Sequence, residues 1–236
     1  MEELAVTVDT STPAGSVALN RGEDLLGEVV LHLRGTHTDR ILSSLNWLLT
    51  EACVKPSEVD VFGVVIGPGS FTGLRVGVAT VKGLAFACDT PVVGVSSLET
   101  LAMACPASAY PVCTMIDARK HEVYGAVYDC RQEVPINQVQ EQVVPPRVML
   151  EQLQGEHLFV GSGAVLYRDL ILERMGDKAH FVPRAVNLPR ASSAAALVLA
   201  RYRVGETCTA REIAPRYIRA SEAEIMRAAK QASKTT

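Results

Sequence analysis

Two aspartates of this 236-residue chain stand where chemistry could be done. Asp9 closes the apolar run Leu4 to Val8 and leads into Thr10-Ser11-Thr12. Asp117 closes a second run, Val112 to Ile116. A carboxylate at a strand end, followed by hydroxyls and backbone N–H groups, can hold a phosphate, or a nucleotide through Mg²⁺. Asp9, Thr10 and Ser11 also read as plain turn chemistry, in which short polar side chains bond the nearby backbone. Other chemistries find less support. Gly161-Ser162-Gly163 is one residue short of a nucleophile elbow. The five histidines, His32, His37, His121, His157 and His180, show neither His-x-x-x-His nor His-Glu-x-x-His, so no metal site built from sequence-local ligands is expected. The six cysteines are scattered without a Cys-x-x-Cys and read as reduced core thiols. No residue stands out as a nucleophile or a general base.

The stretch from Gly67 to Ala87 organises the elements around these residues. Val61 to Ile66 reads as a buried strand, and Gly67-Pro68-Gly69 forces a tight turn. Ser70 or Thr72 then caps a helix running to about Cys88. Leu74, Val78, Val81 and Ala85 form one apolar face of that helix. Val76, Ala79, Gly83, Phe86 and Ala87 form a second, nearly opposite, and only a narrow strip with Arg75 and Lys82 is charged. A helix apolar almost all round is covered on more than one side. One face belongs on a sheet, and the small residues of the other admit a second helix. The turn itself could serve as an anion site, but it lacks the Gly-Lys-Ser/Thr ending of a P-loop and the spacing of a dinucleotide fingerprint.

Leu4 to Val8, Ser16 to Leu19 and Leu25 to Leu31 read as a three-strand meander. Thr38 to Ala52 reads as a helix with Ile41, Leu42, Leu45, Leu48, Leu49 and Ala52 inward and Trp47, the only tryptophan, outward. The order to residue 105 is β-β-β-α-β-α-β, ending in a short helix opened by Ser96 to Glu99. After a linker at Pro106 to Tyr110 the pattern restarts with strands at 112–116, 122–128 and 136–143, a helix at 147–153 and a strand at 157–160. Helices at 164–174 and 192–203 flank a short strand at 180–182. The fold class is therefore α/β, two ribonuclease-H-like domains of the actin/Hsp70/sugar-kinase architecture related by internal duplication. The expected domains are 1–105 and 106–220, with helix 192–203 packing back on the first and a flexible tail at 221–236.

Nearly half the residues are apolar, enough for a sizeable core, and no apolar run reaches membrane length without a charge. The N-terminus runs straight into a strand pattern and does not look like a targeting peptide. The formal charge of −3 hides an asymmetry. From Arg184 onward ten Lys/Arg face four Asp/Glu. That basic portion could touch nucleic acid, but its charges are spaced out with only Tyr202 and Tyr217 among them, which favours an ordinary solvated surface.

The chain resembles the bacterial TsaB (YeaZ) family. The resemblance rests on VDTSTPAGSVAL at 8–19, Thr36-His37-Thr38, GPGSFTGLRVGVATVKGLA at 67–85, PVVGVSSLETLA at 91–102, IDARKHEVYGAVYD at 116–129 and APRYIR at 214–219. It is strong in the first half and weak from about 135 to 210. It implies a cytoplasmic, non-catalytic relative of the TsaD transferase, in which two metal-binding histidines of TsaD fall on Ser97 and Leu101. Such a protein pairs with TsaD, is joined by the TsaE ATPase, and supports threonylcarbamoylation of N6 of the adenosine beside the tRNA anticodon. It contacts tRNA only through the complex, forms a homodimer when alone and has no membrane partner. The resemblance implies a contact through helices 38–53 and 72–87, with Ile41, Leu45, Trp47, Leu48, Phe71, Arg75, Val76, Ala79, Lys82, Gly83 and Phe86 at the interface. No cofactor of its own is implied, apart from ATP or ADP at the subunit contact. Asp9, Thr10 and Ser11 match the family's phosphate loop, with Asp117 opposite, but Ser162 stands where the family often has Asp. One other reading remains on the residues, an independent actin-like ATPase or small-molecule kinase using Asp9 and Asp117; a metal-dependent peptidase is suggested only by the wider family's name.

Overall fold

The computed structural model describes residues 2–33 and 37–219. The expected tail at 221–236 and Thr36 lie outside them.

The first half builds β1 (Leu4–Asp9), β2 (Gly15–Arg21), β3 (Asp24–Leu31), α1 (His37–Glu51), β4 (Val61–Gly67), α2 (Phe71–Cys88), β5 (Val92–Ser96) and α3 (Ser97–Met103). Its sheet runs β3-β2-β1-β4-β5. β1 pairs antiparallel with β2 and parallel with β4, which itself runs parallel to β5. The second half builds β6 (Val112–Asp117), β7 (Val123–Asp129), β8 (Ile136–Val144), α4 (Pro146–Glu151), β9 (His157–Val160), α5 (Ser162–Leu166), α6 (Arg168–Met175), β10 (Ala179–Phe181) and α7 (Ala191–Arg203). Its sheet runs β10-β9-β6-β7-β8, the same order read from the other edge. The fold is thus α/β with two mixed sheets.

Strand periodicity sorts the core. In β1, Leu4, Val6 and Val8 join Ile41, Leu45, Val78 and Val81 on one face of the first sheet. Ala5, with Val61, Val65, Val93 and Val95, faces Ala194, Leu197 and Val198 of α7 on the other. Covering both faces is what lets these strands be apolar at successive positions. The second sheet is layered alike. Val112, Ile116 and Val160 meet Leu98 and Leu101 of α3. Cys113, Met115 and Phe159 meet Met149, Ala164 and Ile171 of α4, α5 and α6. Two helices are therefore exchanged: α3 follows the first sheet yet packs on the second, and α7 follows the second yet packs on the first. Each fully buried Leu or Val contributes about 1.5–3 kcal/mol, so the exchange ties the halves together.

Two expectations are corrected. The helix expected over 164–174 is broken at Tyr167 (φ −104°, ψ 22°), whose ring is partly buried against the second sheet. Leu42, expected on the inward stripe of α1, is 48% exposed, because the stripe is narrower and ends at Ile41.

Candidate functional site

The turn after β1 is sealed by α2. Asp9 is fully buried, and its Oδ1 accepts a hydrogen bond of 2.7 Å from the Ser11 N–H. Thr10 Oγ1 donates to the Gly73 carbonyl at 2.7 Å, and the Ser70 N–H donates to the Ser11 carbonyl at 2.7 Å. The helix N-cap is Ser70, which accepts from the Gly73 N–H. A Cβ built on Gly73 would lie 2.1 Å from the Thr10 carbonyl oxygen, and one on Gly69 would lie 2.2 Å from that of Ser11. The glycines of this stretch therefore serve close packing of helix on turn. The turn before α2, with a cis Gly67–Pro68 bond, is held by Ser97 Oγ, which donates to the Pro68 carbonyl.

Two oxygens in this turn, Asp9 Oδ2 and Ser11 Oγ, are buried without a partner. Burial lifts the Asp9 carboxyl to about 6, against the bond from Ser11 and with a further push from the Glu28 charge. Ser11 lines a cleft of about 400 Å³ between the two sheets, with Ser70, Asp117, Arg119 and Arg219 among its walls. Asp117 sits differently from Asp9. It is partly exposed, its Oδ1 accepts from the Arg119 N–H at 2.8 Å, and its own N–H donates to Ser162 Oγ at 3.1 Å. The structure thus brings Ser11 and Asp117 to one cleft and sets Asp9 behind it. The other polar groups of the turn are already paired: Thr10 Oγ1 with Gly73, the Ser11 carbonyl with Ser70, the Ser11 N–H with Asp9 and Thr12 Oγ1 with Ala14. Among the described residues no group of three or more His, Cys, Asp and Glu side chains could hold a metal ion. The buried thiols are held protonated, Cys105 near 11 and Cys130 near 12, both chiefly by burial.

The outer face of α2 is the second candidate. Ala79, Gly83 and Phe86 are exposed, Phe86 to 69%, and Trp47 of α1 is 55% exposed. Nothing lies within 4 Å of a Cβ built on Gly83. Val76 and Lys82 are half-buried at the border, and Lys82 Nζ donates to the Arg211 carbonyl. At the head of the helix Phe71 and Arg75 are exposed, with the Arg75 guanidinium 3.9 Å over the Phe71 ring. Ile41, Leu45 and Leu48 must be withdrawn from the expected interface. All three are buried in the core beneath the first sheet and present nothing outward. α2 is also long and apolar enough to cross a membrane by length and composition, but its inner face, Leu74, Val78, Val81 and Ala85, is buried.

Tyr217 is a residue that sequence reasoning left without a role. Its ring stacks on Phe71 at 4.9 Å, and its OH accepts from Arg75 Nε at 3.0 Å. The only sequence signal was its place in the APRYIR segment.

Comparison with known proteins follows from this geometry. A family model described as TsaD, tRNA N6-adenosine threonylcarbamoyltransferase, matches residues 30–227. The "tRNA threonylcarbamoyladenosine biosynthesis protein TsaB" of Bacillus subtilis (strain 168) is 31% identical over 227 residues, 93% of this chain and 95% of its own. The solved structure of YeaZ from Pseudomonas aeruginosa superposes with a TM-score of 0.79 at 32% identity, covering 91% of this chain and 99% of that one. Component A of the (R)-2-hydroxyglutaryl-CoA dehydratase of Acidaminococcus fermentans, at 11% identity and a TM-score of 0.51 over 86% of this chain and 99% of its own, shares the fold alone. Identity above 30% over nearly the whole length, together with the match to 30–227, places the chain in the TsaB family.

Proposed function

We propose that this chain is a non-catalytic scaffold subunit in the biosynthesis of threonylcarbamoyladenosine in tRNA. It pairs with a TsaD-like transferase, is joined by a TsaE-like ATPase, and meets tRNA through that complex in the cytoplasm. The observation that carries the reading is the outer face of α2, where Ala79, Gly83 and Phe86 leave a long helix side apolar and open, with Trp47 of α1 exposed as well. Small and aromatic residues together suit a helix-to-helix contact at close range. Membership of the TsaB family supplies the pathway. When alone, the chain pairs with itself through the same face.

The repeated strand order supports reading 1–105 and 106–220 as duplicated ribonuclease-H-like domains, with α7 returning to the first. The cleft of this chain needs no cofactor in this reading, and an adenine nucleotide belongs at the contact between subunits. Mixing the purified protein with a TsaD-like subunit, followed by size-exclusion chromatography with light scattering, tests the proposal. A one-to-one complex that displaces the homodimer is expected.

One observation favours a second reading. Asp9 Oδ2 and Ser11 Oγ, partnerless beside the cleft, suit an actin-like ATPase or small-molecule kinase using Asp9 and Asp117. Calorimetry of the isolated chain with Mg-ATP decides it, since no heat at millimolar nucleotide removes that reading.

A further inference from the structure

The segment from Arg216 to Arg219 crosses the seam between the two sheets, and each of its anchors is specific. The Arg216 N–H donates to the Ile66 carbonyl at the end of β4 at 2.8 Å, while its guanidinium pairs with Glu141 of β8. Tyr217 stacks on Phe71 and accepts from Arg75, both at the head of α2. Arg219 Nη1 donates to the Ala118 carbonyl at 2.8 Å, its guanidinium pairs with Glu122, and it lies 5.9 Å from the Tyr124 ring centroid. Within four residues the chain grips β4 and α2 on one side, and β8 and the hairpin between β6 and β7 on the other. Glu141 extends the grip, since it also accepts from Ser96 Oγ and from the Tyr128 OH. Cavities lie on both sides: Arg216 and Tyr217 wall one of about 490 Å³, and Arg219 walls the 400 Å³ cleft.

The hairpin that the strap holds is itself conformationally unusual. Arg119, Lys120 and His121 all have φ between 52° and 62°, a left-handed run that non-glycine residues rarely adopt. Such a backbone persists when surrounding contacts fix it, and the Arg219 bond to the Ala118 carbonyl is one of them.

We infer that Arg216–Arg219 is a strap that couples the head of α2 to the 118–122 hairpin across the cleft, so that a protein docked on α2 controls the cleft. The second clause rests on the interface reading given above. Phe71 and Arg75 stand at the exposed end of α2, where a docked subunit that covers them holds the Tyr217 stack in place. By linkage, whatever stabilises the strapped state is itself bound more tightly by it.

Hydrogen exchange on the full-length chain tests the coupling without any partner. Tyr217→Ala removes the α2 anchor and touches nothing in the hairpin. It is expected to speed amide exchange at 118–122 about tenfold or more, while the amides of β1 and β6 keep their protection. Tyr217→Phe keeps the stack, loses only the Arg75 bond, and is expected to restore most of the protection. Should Tyr217→Ala fold poorly, Phe71→Leu breaks the same stack from the other side and must give the same acceleration. Unchanged exchange at 118–122 in the folded variant overturns the strap. Adding a TsaD-like subunit to the parent chain separates the two ideas. Slower exchange at 118–122 in the complex supports control from α2, and binding without any such slowing overturns that control. No binding at all overturns it together with the interface reading, and leaves the strap to the exchange result.

Discussion

The two sheets share a strand order, yet the helices outside them meet water in different ways. Outside the second sheet, α4 and α6 expose Arg147, Glu151, Arg168, Asp169, Glu173 and Arg174 around the apolar Val148 and Leu172. Outside the first, α2 exposes Ala79, Gly83 and Phe86, and α1 exposes Leu42 and Trp47. Inner faces are alike because both bury Leu, Val and Ile on strands. Outer faces are free to differ, because fold stability scarcely depends on them. The two outer layers thus differ chiefly in charge: both expose apolar side chains, and the second also carries a dense set of ionic ones.

The sharpest way to break this comparison is to charge both layers. Gly83→Glu adds a carboxylate where nothing lies within 4 Å, so the fold is expected to stand. Pairing with a TsaD-like subunit is expected to fall at least about 100-fold, because an unpaired charge would be buried at the contact. Leu172→Glu, at a 40% exposed position of α6, is expected to leave affinity within about threefold. Titration calorimetry with both variants reads the contrast. Equal affinities would remove the distinction between the layers.

The inner side of α2 gives the next largest effect, through the carboxylate it seals. Asp9 titrates near 6 in the folded chain, against an ordinary value of 3.8. Its charged form is therefore disfavoured by folding. Below about pH 3.8 the group is protonated in both states and carries no penalty. The penalty grows as pH rises toward 6 and is complete above it, at about 3 kcal/mol. Asp9→Asn stays neutral and keeps an acceptor for the Ser11 N–H. Urea melts at pH 4 and pH 7 are expected to show the variant gaining about 2 kcal/mol on the parent over that interval, since part of the penalty is already present at pH 4. A constant difference would mean that Asp9 is hydrated.

Much of this was legible in the sequence where spacing carries the signal. The two faces of α2 follow from helical period, and Trp47 is outward as its position in α1 predicts. Both strand meanders follow from short apolar runs between turns. What stayed hidden depends on contacts that pattern does not encode. Helical period says that α3 and α7 each have a buried side but not which sheet covers it, so the exchange of α3 was invisible. Ile41, Leu45 and Leu48 were assigned to a core stripe and to an interface at once, and only the packing of α1 on β2 resolves that conflict. Asp9 read as an open strand-end carboxylate because its burial depends on Gly69 and Gly73, which admit α2 onto the turn. Tyr217 meets Arg75 across 142 residues of chain, beyond the reach of any local rule.

Two glycines of α2 sharpen the comparison at smaller energies, on its inner and outer faces. Gly73→Ala would drive a methyl to 2.1 Å from the Thr10 carbonyl, a backbone atom just after β1. Destabilisation of about 1–3 kcal/mol is expected, as for other overpacked sites. Gly83→Ala meets open space, so helix propensity alone acts. A gain of about 0.5–1 kcal/mol in thermal or urea stability is expected there. If the outer face receives a second helix at close range, the same methyl that steadies α2 must weaken pairing, because it stands between two backbones. A single substitution that raises stability and lowers affinity for a TsaD-like subunit would mark Gly83 as kept small for contact. Higher stability with affinity unchanged would place the contact elsewhere on α2.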